Sequence, residues 1–181
     1  MLRLARRAGC VSLATFAAAS TLSCEPSQQL SLRSTLRLRS GIEMPNFGLG
    51  TYLSKPGDCF KAVTAALAHG YTLIDTAAMY ANENDVGDAL RASSKEHIFV
   101  VSKLMPEDHG REKTLAAIDL TLEKLGVEQL DLWLMHTPSG GRVVETWQAM
   151  LEARDSGKCR GASQTVVIPT VGKSPPLRVC P

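Results

Sequence analysis

The chain has 181 residues, a formal net charge of +2 and a hydrophobic fraction of 44%, which together exclude a disordered or collagen-like protein. The sequence contains no apolar run of about 18 residues or more, so it predicts no membrane span. Its length is that of a single domain with room for a tail.

The small net charge combines two segments of opposite character. Residues 1–40 contain six arginines and one acidic residue, whereas the remainder contains 14 basic and 17 acidic residues. The acidic body argues against nucleic acid as a partner. Residues 1–33 are rich in Arg, Ser and Ala, which is typical of a mitochondrial or plastid transit peptide. A secretory signal, or a disordered tail on a cytoplasmic protein, are the alternatives.

The cysteine pattern favours neither a disulfide framework nor a metal site. The count is odd, and neither a CxxC motif nor a His/Cys cluster is present among Cys10, Cys24, Cys59, Cys159 and Cys180. We therefore expect the cysteines of the body to be buried or incidental thiols, and we predict no bound metal.

The body of the chain alternates short apolar strands with helical segments. Apolar and polar residues alternate around Ser40-Gly41, which predicts a β-hairpin over residues 36–44. Asp58 is expected to cap the first helix, and Gly70 to follow its end. The four predicted units pair strands 47–50, 71–75, 98–103 and 130–136 with helices 58–69, 83–91, 111–125 and 143–155. This alternation predicts an α/β fold with a parallel sheet.

Three of the predicted strands end in a titratable residue, namely Asp75, Lys103 and His136. Ligands of parallel α/β folds bind at the carboxyl ends of the strands, so we expect these side chains to lie close together in a site. Tyr80 follows Asp75 by a few residues and can reach the same place.

These four residue types fit proton transfer to a carbonyl group. A lysine cation beside a phenol stabilises the phenolate, so Lys103 makes Tyr80 a better proton donor, and Asp75 holds the lysine charged and oriented. His136 can donate a hydrogen bond to the carbonyl oxygen. Metal-assisted hydrolysis is a weaker alternative, because Asp75 and His136 are the ligands in place and a lysine beside them repels a cation. A P-loop, a nucleophile elbow and a GxGxxG motif are absent from the sequence.

The segment from Gly70 to Glu83 resembles the signature of the aldo-keto reductases. Further matches to that family are Met44-Pro45, Gly48–Thr51, Val101–Lys103, Leu130–Trp133 and Leu134–His136. The resemblance spans residues 34–160. It implies a partial (β/α)8 TIM barrel with four to five βα units, preceded by the β-hairpin.

The resemblance also implies a function. The family reduces aldehydes or ketones to alcohols with NADPH, so a small-molecule carbonyl substrate is expected. The family's catalytic residues correspond to Asp75, Tyr80, Lys103 and His136, with Tyr80 as the proton donor and His136 orienting the carbonyl group. Thr51 and Asp75 match positions beside the nicotinamide and its ribose. Tyr52 matches an aromatic residue that forms a wall of the family's substrate pocket. The alternative interpretation, a partly buried aromatic residue without a functional role, is equally compatible with the sequence. Asn82 and Glu83 match the motif as supporting or helix-start residues.

The sequence departs from the family after residue 160. The Ser-Asn pair that binds the nicotinamide amide in the family is missing, and residues 161–181 are predicted to be a divergent, disordered tail. Lys173, Ser174 and Arg178 weakly resemble a segment that binds the cofactor phosphate. An alternative hypothesis is therefore a non-catalytic, truncated fragment that acts through association. The open edge of a partial barrel would allow self-association.

Overall fold

The computed structural model describes residues 30–94 and 97–164. The body begins with two antiparallel strands, β1 (Thr35–Arg37) and β2 (Glu43–Pro45), with Leu36 opposite Met44. The predicted hairpin is therefore confirmed. Most of the predicted leader lies outside the described residues, as do Lys173, Ser174 and Arg178.

Five parallel strands form the main sheet, and they follow one another in chain order. They are β3 (Leu49–Gly50), β4 (Leu73–Asp75), β5 (Phe99–Leu104), β6 (Leu130–Met135) and β7 (Cys159–Gln164). The connecting helices are α1 (Asp58–Ala68), α2 (Glu83–Ala92), α3 (Arg111–Leu125) and α4 (Val143–Asp155). The predicted alternation of strands and helices in a parallel α/β sheet is confirmed. Within the described ranges, no helix has the length and apolarity needed to cross a membrane.

All four helices contribute to one apolar core against the same face of the sheet. Val63 of α1, Val86 of α2, Ile118 of α3 and Met150 of α4 are fully buried in a cluster that also contains Trp133 of β6. Each helix packs on the next in chain order. Helices on one face and strands in sequential order are the arrangement of a barrel wall, whereas a doubly wound sheet carries helices on both faces.

The other face of the sheet carries a second apolar cluster, which the hairpin covers. Ile42, from the hairpin loop, packs there with Phe99 and Val101 of β5. Successive side chains of a strand point to opposite faces, so Lys103 shares the face of Phe99 and Val101, whereas Ser102 faces the helices. The apolar face thus ends in a charged residue at the carboxyl end of β5.

Gly70 follows the end of the first helix, as the sequence predicts. Gly70 follows α1 with a φ of 97°, and the Tyr71 N–H reaches back to the Ala66 carbonyl at 3.1 Å. Such a left-handed residue after a helix favours glycine. The predicted cap of α1 is wrong, because Gly57 occupies the N-cap position and Asp58 is the first helical residue.

The predicted tail differs from the structure over its first four residues. Residues 161–164 continue β7, because their backbone pairs with β6 from Leu132 to Met135. Gly161 lies close to Ile42 and Leu132, where a Cβ atom would come within 3.2 Å and 3.3 Å of their side chains. Residues 165–181 lie outside the described residues.

Candidate active site

The carboxyl edge of the sheet brings the predicted site residues together. Asp75 is the last residue of β4, Lys103 is the last but one of β5, and His136 follows β6 directly. Tyr80 ends a short 3-10 turn, Ala78–Tyr80, that follows β4. Parallel pairing of β4 with β5 and of β5 with β6 places these ends side by side.

Lys103 is the centre of the site. Its Nζ atom donates to Asp75 Oδ1 at 2.5 Å, to the Thr76 carbonyl at 2.9 Å and to the Tyr80 hydroxyl at 3.3 Å. An ammonium group has three donors, and all three are used here. The side chain is 7% exposed. The lysine is therefore fixed in one orientation, with its charge shared between a carboxylate and a phenol.

The backbone around Tyr80 directs the phenol towards Lys103. The Tyr80 N–H bonds to the Ala77 carbonyl at 2.9 Å, and Ala81 then takes a left-handed conformation with a φ of 54°. The lysine Nζ atom also lies 5.0 Å from the centroid of the Tyr80 ring, within the range of a cation–π contact.

His136 packs edge-on against the Tyr80 ring, with 5.8 Å between the ring centroids and an interplanar angle of 84°. Burial, and secondly the Lys103 cation, lower the pKa of His136, while Asp75 opposes the shift. The Nδ1 atom is buried and has no hydrogen-bond partner within the described residues. A neutral imidazole with its proton on Nε2 then has one donor to offer to a ligand.

Tyr52 and Thr51 border the site on the side of β3. The Tyr52 ring lies 5.0 Å from the Tyr80 ring at an angle of 55°, and the residue is 65% exposed. Thr51 is buried, and its N–H donates to the Asp75 carbonyl at 2.9 Å. The turn after β3 is thus attached to the end of β4.

The residues at the β3 and β4 ends leave room for a flat ligand. A Cβ atom on Gly50 would meet nothing within 4 Å, so open space lies over this part of the backbone. The Asp75 side chain is 35% exposed, although its Oδ1 atom already accepts from Lys103. A partly exposed carboxylate beside open backbone fits a ribose hydroxyl and a nicotinamide ring.

Three buried polar residues near the site have contacts that the sequence does not indicate. The side-chain amide of Asn82 accepts a hydrogen bond from Thr76 Oγ1, just after β4, and donates one to the Thr51 carbonyl, just after β3. Glu83 is 2% exposed, accepts from Ser102 Oγ at 2.7 Å, and has its pKa raised by burial. His109, after β5, bonds through Nδ1 to the Gly141 carbonyl at 2.7 Å. Apart from the bond between Thr76 and Asn82, which spans six residues, these contacts join residues that are 19 to 32 positions apart, so a local sequence pattern carries no signal for them.

A separate cavity of about 290 Å³ lies at the opposite end of the sheet. Its lining includes Asp131, Arg160 and His97. Asp131 accepts from the Val100 N–H at 2.8 Å and pairs with Arg160 at 2.6 Å, so it ties three strands together. Charged residues at the amino end of parallel strands are typical of stability rather than catalysis.

A family model described as the aldo/keto reductase family matches residues 46–165. The chain therefore belongs to the aldo/keto reductase family. Glyoxal reductase of Bacillus subtilis (strain 168) is 42% identical over 133 residues, which are 72% of this chain and 48% of that protein. The 2,5-diketo-D-gluconic acid reductase B of a Corynebacterium species is 40% identical over 130 residues, covering 70% and 47%. The chain spans about half the length of these relatives.

Solved structures of the family share the fold. An aldo/keto reductase from Brucella melitensis superposes with a TM-score of 0.70 at 36% identity, covering 72% of this chain and 53% of that chain. The aldo-keto reductase of Bombyx mori, solved in complex with NADP, gives 0.67 at 32% identity and covers 72% and 50%. The predicted partial TIM barrel is confirmed, and it corresponds to about half of these structures.

Proposed function

We propose that this protein takes part in the reduction of aldehydes or ketones to alcohols with NADPH, and that Tyr80 is the proton donor. One observation carries the proposal. Lys103 Nζ bonds to both the Asp75 carboxylate and the Tyr80 hydroxyl, and His136 packs against the same phenol ring. An acid, a cation that stabilises its conjugate base and a neutral hydrogen-bond donor meet at one point.

The relatives support this chemistry. Two of them are named as reductases, one of glyoxal and one of 2,5-diketo-D-gluconic acid. Both of these substrates contain carbonyl groups. The Bombyx mori protein was solved with NADP. These names carry over to this chain as a substrate class and a cofactor class.

Each residue has a separate role in the proposed reaction. NADPH supplies a hydride to the carbonyl carbon when it is bound. Tyr80 donates its proton to the carbonyl oxygen, so hydride and proton together convert C=O to CH–OH. The Lys103 cation stabilises the phenolate that Tyr80 becomes, and Asp75 keeps that cation in place. His136 donates a hydrogen bond to the same oxygen and so fixes the direction of the carbonyl group.

The cofactor's nicotinamide end fits residues at the β3 and β4 ends. Asp75 presents an accessible carboxylate for a ribose hydroxyl, and Thr51 holds the adjacent backbone through its bond to the Asp75 carbonyl. Tyr52, exposed beside Tyr80, forms a wall for the substrate. The choice of NADPH over NADH rests on the family resemblance.

The experiment that tests the proposal uses the purified full chain. NADPH binding is followed by calorimetry, and reduction of glyoxal by NADPH absorbance. We expect Tyr80→Phe to lower kcat at least about 100-fold and to leave NADPH affinity within about twofold, because the hydroxyl acts on the substrate. Tyr71→Phe is the matched control and should retain activity. Absence of NADPH binding at millimolar concentration, or full activity of Tyr80→Phe, would contradict the proposal.

The non-catalytic alternative receives less support. In a non-catalytic fragment that acts through association, nothing would require Lys103 to make three hydrogen bonds within a buried site, as it does here. The intact contacts among the four predicted residues therefore favour catalysis.

Residues 1–33 are proposed to target the protein to a mitochondrion or plastid, on composition. Mass spectrometry of the protein isolated from cells tests this proposal, because cleavage of a targeting sequence leaves a mature N-terminus downstream of Met1.

A further inference from the structure

The side-chain amide of Asn82 uses all of its hydrogen-bonding capacity. Its Oδ1 atom accepts from Thr51 Oγ1 at 3.3 Å and from Thr76 Oγ1 at 3.0 Å. Its Nδ2 atom donates to the Thr51 carbonyl at 2.9 Å and to the Ser54 carbonyl at 3.4 Å. Backbone carbonyls only accept, so the orientation of the amide is fixed. Asn82 is 3% exposed, so water cannot reach its amide to replace these hydrogen-bond partners.

The residues that Asn82 holds form a strained turn. The Ser54 N–H bonds to the Thr51 carbonyl at 3.1 Å, which closes the turn after β3. Leu53, within this turn, has a φ of 62° and is 79% exposed. A leucine in the left-handed region is unfavourable, and burial of its side chain offers little compensation here. The two Nδ2 bonds of Asn82, one to each end of the turn, keep it closed.

Asn82 also connects this turn to the centre of the site. Tyr52 lies within the strained turn, with its ring 5.0 Å from that of Tyr80, and Tyr80 precedes Asn82 by two residues. Thr76, which donates to Asn82 Oδ1, offers its own carbonyl to Lys103 Nζ. The amide of Asn82 therefore connects three parts of the site. They are the turn that contains Tyr52, the end of β4 whose Thr76 carbonyl accepts from Lys103, and the turn that contains Tyr80.

We propose that Asn82 is a positioning residue that sets the separation of the Tyr52 ring and the Tyr80 hydroxyl, and with it the width of the space that receives a carbonyl substrate. Asn82 acts through the two tyrosines and touches no reacting atom. The kinetic consequence rests on the proposed function, whereas the geometric consequence is independent of it.

The geometric test uses NMR on the full chain with labelled tyrosine rings. The sequence contains three tyrosines, so single Tyr→Phe variants assign their ring signals. In the wild type we expect a nuclear Overhauser contact between the rings of Tyr52 and Tyr80. Asn82→Asp keeps the size and the acceptor for the two threonines but sets a carboxylate oxygen against two carbonyls, so the contact should disappear while the circular dichroism spectrum is unchanged.

The matched control is Asn84→Asp, because Asn84 is an exposed asparagine on α2. This variant should retain the contact between the tyrosine rings. A contact that persists in Asn82→Asp at wild-type strength would overturn the proposal.

The kinetic test compares a small aldehyde, glyoxal, with a bulky one, benzaldehyde. A change in the width of the site alters the ratio of their kcat/KM values, and we expect at least a fivefold change in Asn82→Asp and none in Asn84→Asp. A purely structural defect lowers both values equally and leaves the ratio unchanged, which would overturn the proposal. If the wild type reduces neither aldehyde, the proposed function fails, and the ring contact alone decides the role of Asn82.

Two further measurements cover poor folding of the variant. In the wild type, the side-chain amide protons of Asn82 should exchange slowly with solvent, and fast exchange would overturn the proposal. Adding Leu53→Asn to Asn82→Asp relieves the turn, because asparagine tolerates the left-handed region. This second change should restore the contact between the tyrosine rings, and failure to restore it would overturn the role assigned to the strained turn.

Discussion

The ring of His136 stands almost perpendicular to the ring of Tyr80, at 84°, with 5.8 Å between their centroids. The edge of one ring therefore faces the π cloud of the other, an arrangement that aromatic pairs prefer. It fixes the imidazole beside the phenol, in an environment that burial and the Lys103 cation make unfavourable for a second positive charge.

The pH dependence of stability should reveal His136. Its pKa is lowered from 6.5, so between that value and its lower folded-state pKa the unfolded chain binds more protons than the folded chain. The free energy of unfolding therefore falls as the pH falls through this window. We expect urea unfolding to show a smaller difference between pH 7 and pH 5 in His136→Gln than in the wild type. His69→Gln, at an exposed position, is the control, and an equal difference in both variants would contradict the prediction.

Glu83 should produce the opposite pH dependence. Burial raises its pKa above 4.5, so the folded chain holds this proton more tightly than the unfolded chain. The stabilisation is present below pH 4.5 and is lost as the pH rises through the folded-state pKa. Glu83→Gln, whose amide oxygen can still accept from Ser102 Oγ, should reduce this loss in urea unfolding between pH 4 and pH 7. Glu123→Gln on the exposed side of α3 should keep the wild-type dependence.

Gly87 should tolerate no side chain, because α2 and the end of α3 approach closely at this residue. A Cβ atom there would lie 2.5 Å from the Lys124 carbonyl oxygen and 2.8 Å from that of Leu125. Backbone atoms cannot move aside cheaply, so we expect Gly87→Ala to lower the free energy of unfolding by about 1–3 kcal/mol. Gly50→Ala, whose Cβ atom meets open space, should change it by less than about 0.5 kcal/mol. Similar losses in the two variants would be the contrary result.

The two cysteines of the described core should resist alkylation. Burial raises the pKa of Cys159 to about 12 and that of Cys59 to about 11, and both residues are buried. The thiolate is the reactive form, so both should stay unmodified by iodoacetamide at pH 8 in the folded protein and react in urea. Peptide mass spectrometry resolves each site. Rapid modification of Cys159 in the absence of urea would show that β7 opens readily.

The outer edge of β7 is expected to support self-association. Among the described strands, β7 pairs with β6 alone and forms one end of the five-stranded sheet. Unpaired strand edges pair with other strands when they are accessible. Light scattering over a tenfold concentration range should show an increase in mean mass. A constant monomer mass would rule out this association.

The predicted ranges of α3 and α4, residues 111–125 and 143–155, agree with the structure to the residue. The sequence also predicts that Asp75, Lys103 and His136 meet, because parallel strands bring their carboxyl ends to one edge. The bonds between Asn82 and Thr51 were not predictable, because 31 residues separate the two and the tertiary fold brings them together. The burial of Glu83 was also not predictable from the sequence, because a glutamate in the first turn of a helix is usually solvated.

The three hydrogen bonds that Lys103 donates also limit the reactivity of its amine towards aldehydes. The lone pair of a free amine attacks an aldehyde carbon, and loss of water then gives an imine, so the lysines of a protein that reduces aldehydes are exposed to this reaction. An ammonium group bonded to Asp75, Thr76 and Tyr80 has no lone pair for such an attack, and with 7% exposure it offers little access. The contacts on which the proposed proton transfer rests thus also keep the lysine unreactive towards the proposed substrate.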